Sequence, residues 1–220
     1  PIILDGPYSN SAFDIVCKND KVYMIIGGKD LLNGKRFDKG GYILTYDYDK
    51  WSFIDPKEAQ KKLNLPRNPR DYTSIAVTTD DSNDEIVYAS SMGDGVIQYK
   101  NGTPVQSYNE KNAFKETAGG YGSGYCYIDG LAFDKNGNLW MTSSEVNHAV
   151  LVLDKAGAWH RLDIEQLRGV YTINDILITS TNDKWIYVPR NTPKLVMIPN
   201  SESLDEVSSY EFTTLIDTDD

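Results

Sequence analysis

Residues that carry nucleophilic or metal chemistry are scarce in this sequence, which has only two cysteines and two histidines among 220 residues. Cys17 and Cys126 are too few for a disulfide framework and do not lie at zinc spacing, and the apolar strands around them predict two buried free thiols. His148 and His160 have no Gly-x-Ser-x-Gly turn and no obvious thiol partner, so we predict surface histidines without a role. These absences argue against nucleophilic catalysis.

Basic residues and long apolar runs are scarce as well. The 22 lysines and arginines are outnumbered by 32 aspartates and glutamates, so the net charge is −10. A nucleic-acid partner requires a basic face, and this balance argues against one. The longest apolar runs have the length of strands, so no membrane span is predicted in this segment. Because the chain starts at Pro1 rather than at a methionine, we expect an excerpt of a longer product.

Aromatic residues, in contrast, are abundant, with 15 tyrosines, 4 tryptophans and 6 phenylalanines. They lie in short apolar runs that are separated by glycine, asparagine and aspartate, a composition that favours β structure. A hydrophobic content of 40% and a charged content of 25% are ordinary for a folded domain. A chain of this length fits one domain and can bury a sizeable core without disulfides.

Four stretches of the chain follow one pattern, in which an apolar strand, a polar turn and a second strand with an aromatic residue come in that order. The aligned aromatic residues, which we expect to pack between the repeats, are Tyr23, Tyr88, Trp140 and Trp185. Third and fourth strands follow each pair, and four antiparallel strands repeated about every 40–50 residues are typical of a β-propeller blade. We predict an all-β fold that forms a single β-propeller region over residues 1–220 and is a fragment of a larger propeller. Its blades are expected at approximately 12–55, 72–109, 127–163 and 172–211, with the start of a further blade at 212–220.

Four insertions interrupt the repeat, at residues 28–40, 56–63, 109–127 and 163–168. The second is predicted to be a short helix and the fourth a helical turn. Links between blades, and between the second and third strands of a blade, emerge on one face of a propeller. Loops on a rigid β scaffold commonly carry binding, so this face is where we expect a site.

Two segments resemble known propeller families. Residues 128–142, IDGLAFDKNGNLWMT, resemble the two-component-regulator propeller repeat of Bacteroidetes envelope proteins. Residues 88–102, YASSMGDGVIQYKNG, resemble the N-terminal propellers of the PorZ type, which belong to type IX secretion. The resemblance implies an extracytoplasmic protein of the periplasm, outer membrane or cell surface. It also implies a role in a sensor region or in a secretion-associated surface module.

The long link and the inner strand after it supply candidate ligand-binding residues. Aromatic faces stack on sugar rings, and flanking carboxylates orient hydroxyls, which suggests an oligosaccharide or another polar ligand. Two arginines before the second blade are expected on the same face, where they could meet an anionic group. The alternative is that the tyrosines only pack the loop onto the blades. The candidates are Tyr121, Tyr125, Tyr127, Asp129, Arg67 and Arg70.

A metal-dependent lactonase of the gluconolactonase type is a further alternative, because those propellers also contain strings like the one at 128–142. They hold a divalent cation at the axis, and a hard cation requires several converging oxygens. The candidates in this chain lie beside the first strand of each blade: Asp14, Asp129, Asn174 and Asp175. The matching glutamate is missing, so we predict no catalysis, no metal and no cofactor.

The sequence therefore favours a non-enzymatic module that binds a ligand or an envelope protein partner. A structural scaffold within a surface secretion complex is the second hypothesis, and the lactonase is the third.

Overall fold

The computed structural model describes residues 6–31, 33–114, 124–190, 193–204 and 207–213. These residues form four consecutive groups of four antiparallel strands, each here called a blade; blades one and four are separate sheets, and blades two and three are joined in one eight-stranded sheet. Blade one contains β1 Ala12–Lys18, β2 Lys21–Ile26, β3 Ile43–Asp47 and β4 Lys50–Ile54. Blade two contains β5 Tyr72–Thr79, β6 Glu85–Gly93, β7 Gly95–Lys100 and β8 Thr103–Tyr108. Blade three contains β9 Cys126–Phe133, β10 Leu139–Ser143, β11 Val150–Leu153 and β12 Trp159–Leu162. Blade four contains β13 Ile176–Ile178, β14 Lys184–Val188, β15 Lys194–Ile198 and β16 Tyr210–Thr213.

Neighbouring strands within each blade follow one another in the chain, and tight turns set the register of the pairs with short connections. Asn19 and Asp20 between β1 and β2 have φ angles of 52° and 60°, and Asn101 and Gly102 between β7 and β8 have φ angles of 47° and 74°. Asparagine, aspartate and glycine tolerate this left-handed backbone best, which explains why the repeat places them there. Blades two and three also pair directly, since the end of β6 runs antiparallel to the start of β9.

The predicted helix is α1, Pro56–Leu63, which connects blades one and two. The Asp55 side chain caps it by accepting a hydrogen bond of 2.9 Å from the Lys57 N–H, and Pro56 fits the first turn because its missing N–H needs no partner there. Asn64 ends it at a φ of 51°. The predicted helical turn between blades three and four is a short 3-10 helix, Glu165–Leu167.

The hydrophobic cores lie between consecutive blades rather than within them. In each of the first three blades, the aligned aromatic residue points toward the following blade, as the sequence predicted. The contacts are Tyr23 with Glu85, Tyr88 with Phe133 at 5.8 Å between ring centroids, and Trp140 with Lys184, whose Nζ lies 4.5 Å from the ring centroid. Burying one large apolar side chain contributes about 1.5–3 kcal/mol, so these junctions hold the blades in order.

The outer faces of blades one and four are packed less completely than the faces between blades. On blade four, Leu177 lies opposite Trp185 in the register, and Leu177 and Tyr210 are 65% and 53% exposed. On blade one, Ile15 is 58% exposed, and Phe53 is 48% exposed although Tyr8 stacks on it with 4.6 Å between ring centroids.

This open face explains one wrong prediction. Cys126 is buried as predicted, but Cys17 is exposed. Alternate residues of a strand share a face, so Cys17 lies on the same side of β1 as Ile15. Cys17 and Ile15 both stay exposed there, because an apolar strand pattern does not by itself bury a thiol.

The predicted start of a further blade is partly corrected as well. The backbones of Phe212 and Thr213 belong to β16, where they pair with Leu195 and Lys194 of β15. The rest of that segment, 214–220, lies outside the described residues.

The two histidines lie in different parts of blade three. His148 is partly buried, and Nε2 of His160 lies 2.9 Å from Oδ2 of Asp154 in the β11–β12 hairpin.

Candidate functional site

The innermost strands of the blades bring four polar residues together around a cavity of about 140 Å³, here called the axial cavity. Its lining includes the four lactonase candidates, each beside the first strand of its blade. Phe13, Asp14, Lys29, Leu31, Thr73, Asp129, Asn174 and Asp175 line it. These four candidates, which lie in or just before the first strands of their blades, therefore line one cavity.

A lysine ammonium lies at this point of convergence. Lys29, from the insertion after β2, is only 2% exposed. Its Nζ donates hydrogen bonds to Asp129 Oδ1 and to the Ile173 carbonyl, the latter at 3.2 Å. It also lies 5.1 Å from the ring centroid of Tyr127. No group of three or more metal-ligating side chains is present in the part of the chain that the structure describes. The positive charge of this site is thus part of the protein itself.

The carboxyl groups of the axial cavity have raised pKa values. Burial raises the pKa of Asp129 to about 6, although the Lys29 ammonium and the Ser144 hydroxyl oppose the shift. Burial and the Asp14 carboxylate raise the pKa of Asp175 to about 6, although its side chain keeps contact with solvent. Both oxygens of Asp129 accept hydrogen bonds, from Lys29 and from Ser144, so this carboxylate holds its two neighbours in place.

A second cavity, of about 350 Å³, lies between two of the links that join blades and is here called the link cavity. One wall is the segment between α1 and β5, and the opposite wall comes from the segment between β8 and β9. Leu65, Pro66, Arg67, Pro69, Gly93, Asp94, Asn109, Glu110, Lys111, Gly124 and Tyr125 line it. Its volume falls within the usual range for small-ligand sites.

Asp94 fixes the geometry of the link cavity. It lies at the tip of the β6–β7 hairpin between Gly93 and Gly95, whose φ angles of 123° and 79° few other residues could adopt. Its carboxylate accepts hydrogen bonds from Arg67 Nε at 2.8 Å and from the Arg70 backbone N–H at 3.1 Å, and Arg67 Nη2 lies 2.7 Å away. This forked contact holds the α1–β5 link against blade two.

A similar carboxylate holds the insertion after β2. Asp71 is fully buried and accepts hydrogen bonds from Arg36 Nε at 3.1 Å and from the backbone N–H groups of Asp38 and Lys39 at 3.1 and 2.9 Å. Arg36 is close enough to Tyr125 to oppose the rise that burial causes in the pKa of that phenol. These two sets of carboxylate contacts, here called the Asp94 clamp and the Asp71 clamp, order the loops beside the link cavity.

The structure distributes the predicted binding residues over both cavities. Arg67 and Tyr125 share the link cavity, whereas Asp129 lines the axial cavity, with Tyr127 packed beside it. Arg70 lies near Asp38, with Nη1 at 3.3 Å from its carboxylate. Tyr121 lies outside the described residues.

Sequence reasoning missed three residues that organise the two cavities and the loops beside them: Lys29, Asp71 and Asp94. Each acts on a partner from another link or blade, and no local spacing marks such a residue. The short segment Gly93-Asp94-Gly95 was the one available signal, because two glycines around an aspartate indicate a tight turn that exposes a carboxylate.

Solved structures of bacterial proteins have the same architecture as this chain. PorZ of Porphyromonas gingivalis, described as an essential bacterial surface component of the type IX secretion system, superposes with a TM-score of 0.75 at 21% sequence identity. The match covers 96% of this chain and 28% of that chain. The fold is a β-propeller.

Two extracellular domains described for hybrid two-component systems of B. thetaiotaomicron share this propeller architecture. BT4673 matches with a TM-score of 0.60 at 14% identity over 94% of this chain and 26% of its own. BT3049 matches with a TM-score of 0.51 at 16% identity over 92% and 28%. The chain thus spans little more than a quarter of these proteins, and the similarity confirms both the predicted fold class and the predicted likeness. No protein-family profile and no curated protein sequence matches the chain.

The propeller carries one α-helix among its described residues, and it is far too short and polar to cross a membrane.

Proposed function

We propose that this propeller is an extracytoplasmic recognition module without catalytic activity, and that it binds a polar ligand such as an oligosaccharide in the link cavity. The observation that carries the proposal is the convergence of Arg67, Asp94 and Tyr125 around 350 Å³ of open space. These side chains come from three separate segments, and the Asp94 clamp orders two of them. A preordered polar cavity of this kind binds ligands at a low entropic cost.

The extracytoplasmic location is supported by the descriptions of the similar structures, which name a bacterial surface component and extracellular domains. A role in a sensor region or in a secretion-associated surface protein belongs to the same proposal.

The absence of catalysis is supported by Lys29. A lactonase of the type considered above requires a divalent cation at the axis, and the Lys29 ammonium already neutralises Asp129 there. A cation would have to displace a buried ion pair, which is costly.

The test is calorimetry and thermal melting of the 220-residue chain with a panel of oligosaccharides, with Ca²⁺ and with EDTA. A ligand at 100 times its Kd adds about 2.7 kcal/mol to the free energy of unfolding. We expect a shift with a class of oligosaccharide, and we expect Arg67→Ala to abolish it. Arg168→Ala is the matched control, because it removes a half-exposed ion pair with Asp163 that lies outside the link cavity.

Other outcomes would select the other functions. A shift with Ca²⁺ that EDTA reverses would contradict the non-enzymatic proposal and favour the lactonase. A flat panel would favour the scaffold, for which the exposed Leu177 and Tyr210 on blade four supply an apolar surface.

A further inference from the structure

We propose that the link cavity selects an uncharged, hydroxyl-rich ligand, a neutral oligosaccharide, and discriminates against acidic ones. This inference rests on the proposed function and names the ligand class of the same site.

The first argument is charge balance. The lining contains two cations, Arg67 and Lys111, and two anions, Asp94 and Glu110. The guanidinium of Arg67 already directs its fork at Asp94, with Nε and Nη2 at 2.8 and 2.7 Å from Oδ1. An incoming carboxylate would have to compete with Asp94 for Arg67, and the chain as a whole carries a net charge of −10.

The cations behind the cavity are paired as well. Arg36 lies between Asp71 and Asp38, and Arg70 lies 3.3 Å from Asp38. Among the described residues these arginines already have carboxylate partners, which argues against their meeting an anionic group of a ligand.

The second argument is hydrogen-bond chemistry. Arg67, Lys111 and Asn109 provide donors, and Asp94 and Glu110 provide acceptors, in one lining. A hydroxyl group both donates and accepts, so a sugar with several hydroxyls can satisfy such an alternating surface. A ligand with acceptors only could not donate a hydrogen bond to the Asp94 or Glu110 carboxylates.

The third argument is the apolar wall. Leu65, Pro66 and Pro69 come from the α1–β5 link and form one side of the cavity. A pyranose ring has an apolar C–H face and a polar rim, and this wall matches that face while the charged side chains match the rim.

The experiment compares neutral hexasaccharides of glucan, mannan and xylan type with hexagalacturonate by isothermal titration calorimetry. We expect the best neutral probe to bind about tenfold or more tightly than hexagalacturonate, and we expect added salt to change its affinity little. Asp94→Asn should narrow or reverse the preference, because Arg67 then loses its counter-charge. Since Asp94 also holds the Arg70 backbone, Glu110→Gln at an exposed position is the second variant, and it should shift the preference in the same direction.

Equal or tighter binding of hexagalacturonate by the unmodified chain would overturn the inference and leave the proposed function intact. An unchanged preference in both folded variants would also overturn it. Absence of binding to every probe would overturn the proposed function and this inference together. Asp163→Asn, which disturbs an ion pair outside the cavity, controls for a general effect of removing a carboxylate.

Discussion

At the scale of single residues, the buried pair of Lys29 and Asp129 governs the axis of the propeller. Two buried opposite charges gain little over an apolar pair, but removing one of them leaves the other uncompensated. We expect Lys29→Met to lower the free energy of unfolding by about 3–5 kcal/mol in urea titrations. The double variant Lys29→Met/Asp129→Asn should recover a large part of that loss. Equal stability of the single and double variants would contradict this account.

Asp175, in the axial cavity, makes the free energy of unfolding depend on pH. Its pKa is raised to about 6 when the protein is folded, mainly by burial, so folding favours the protonated carboxyl. Its contribution to stability is complete below the ordinary pKa of an aspartate and is lost as the pH rises through about 6. Asp175→Asn should therefore unfold like the parent chain near pH 4 and be more stable than the parent at pH 7.

Thermal melts between pH 4 and pH 8 measure this difference. Asp183→Asn is the opposite control, because hydrogen bonds from Thr181 and the Asn200 N–H lower the pKa of Asp183. A stability difference for Asp175→Asn that does not change with pH would contradict the assignment.

At the scale of elements, the Asp71 clamp decides whether the insertion after β2 stays in place. Asp71→Ala removes the acceptor for two backbone N–H groups and for Arg36. We expect trypsin to cleave at Lys35, Arg36 and Lys39 at least tenfold faster, because local opening exposes the backbone. Asp38→Ala is the matched control, because it removes an exposed carboxylate that lies near Arg36 and Arg70 and leaves the Asp71 acceptor in place. Equal cleavage rates in the two variants would show that the clamp is not what orders the loop.

The elements also show how far the sequence can predict this structure. Strands and turns follow from local patterns, and so does α1, whose cap Asp55 and end Asn64 lie beside the helix. The link cavity required knowledge of which links meet, and Asp94 meets Arg67 across 27 residues. The exposure of Cys17 depends on whether another part of the protein covers β1, and a local sequence pattern does not contain that information. The exposure of a strand depends on what packs against it. Sequence patterns therefore predict that the strand forms, but they do not predict which residues bury it.

At the scale of the whole molecule, the aromatic contacts link each blade to the next. Trp140 donates its indole N–H to Asp134 at 2.9 Å and lies buried against blade four. Trp185 occupies the equivalent place on blade four and is only partly buried. We expect Trp140→Phe to cost about 2–4 kcal/mol of unfolding free energy and Trp185→Phe less than about 1 kcal/mol. Guanidinium denaturation measures both, and equal costs would show that blade four is already as well packed as blade three.

The Lys29 contact has a consequence for the order in which the protein assembles. Each blade forms from strands that are adjacent in the chain, but Lys29 meets residues that lie 100 and 144 positions later. A ribosome that adds about 5–20 residues per second needs roughly 7–30 s to supply Ile173 after Lys29 has emerged. During that interval the ammonium and the insertion that carries it remain in water, while blades one and two can already pair. The contact at the axis therefore forms only after the strands of blades one to three have been made, and until then the newly made chain keeps the Lys29 ammonium hydrated.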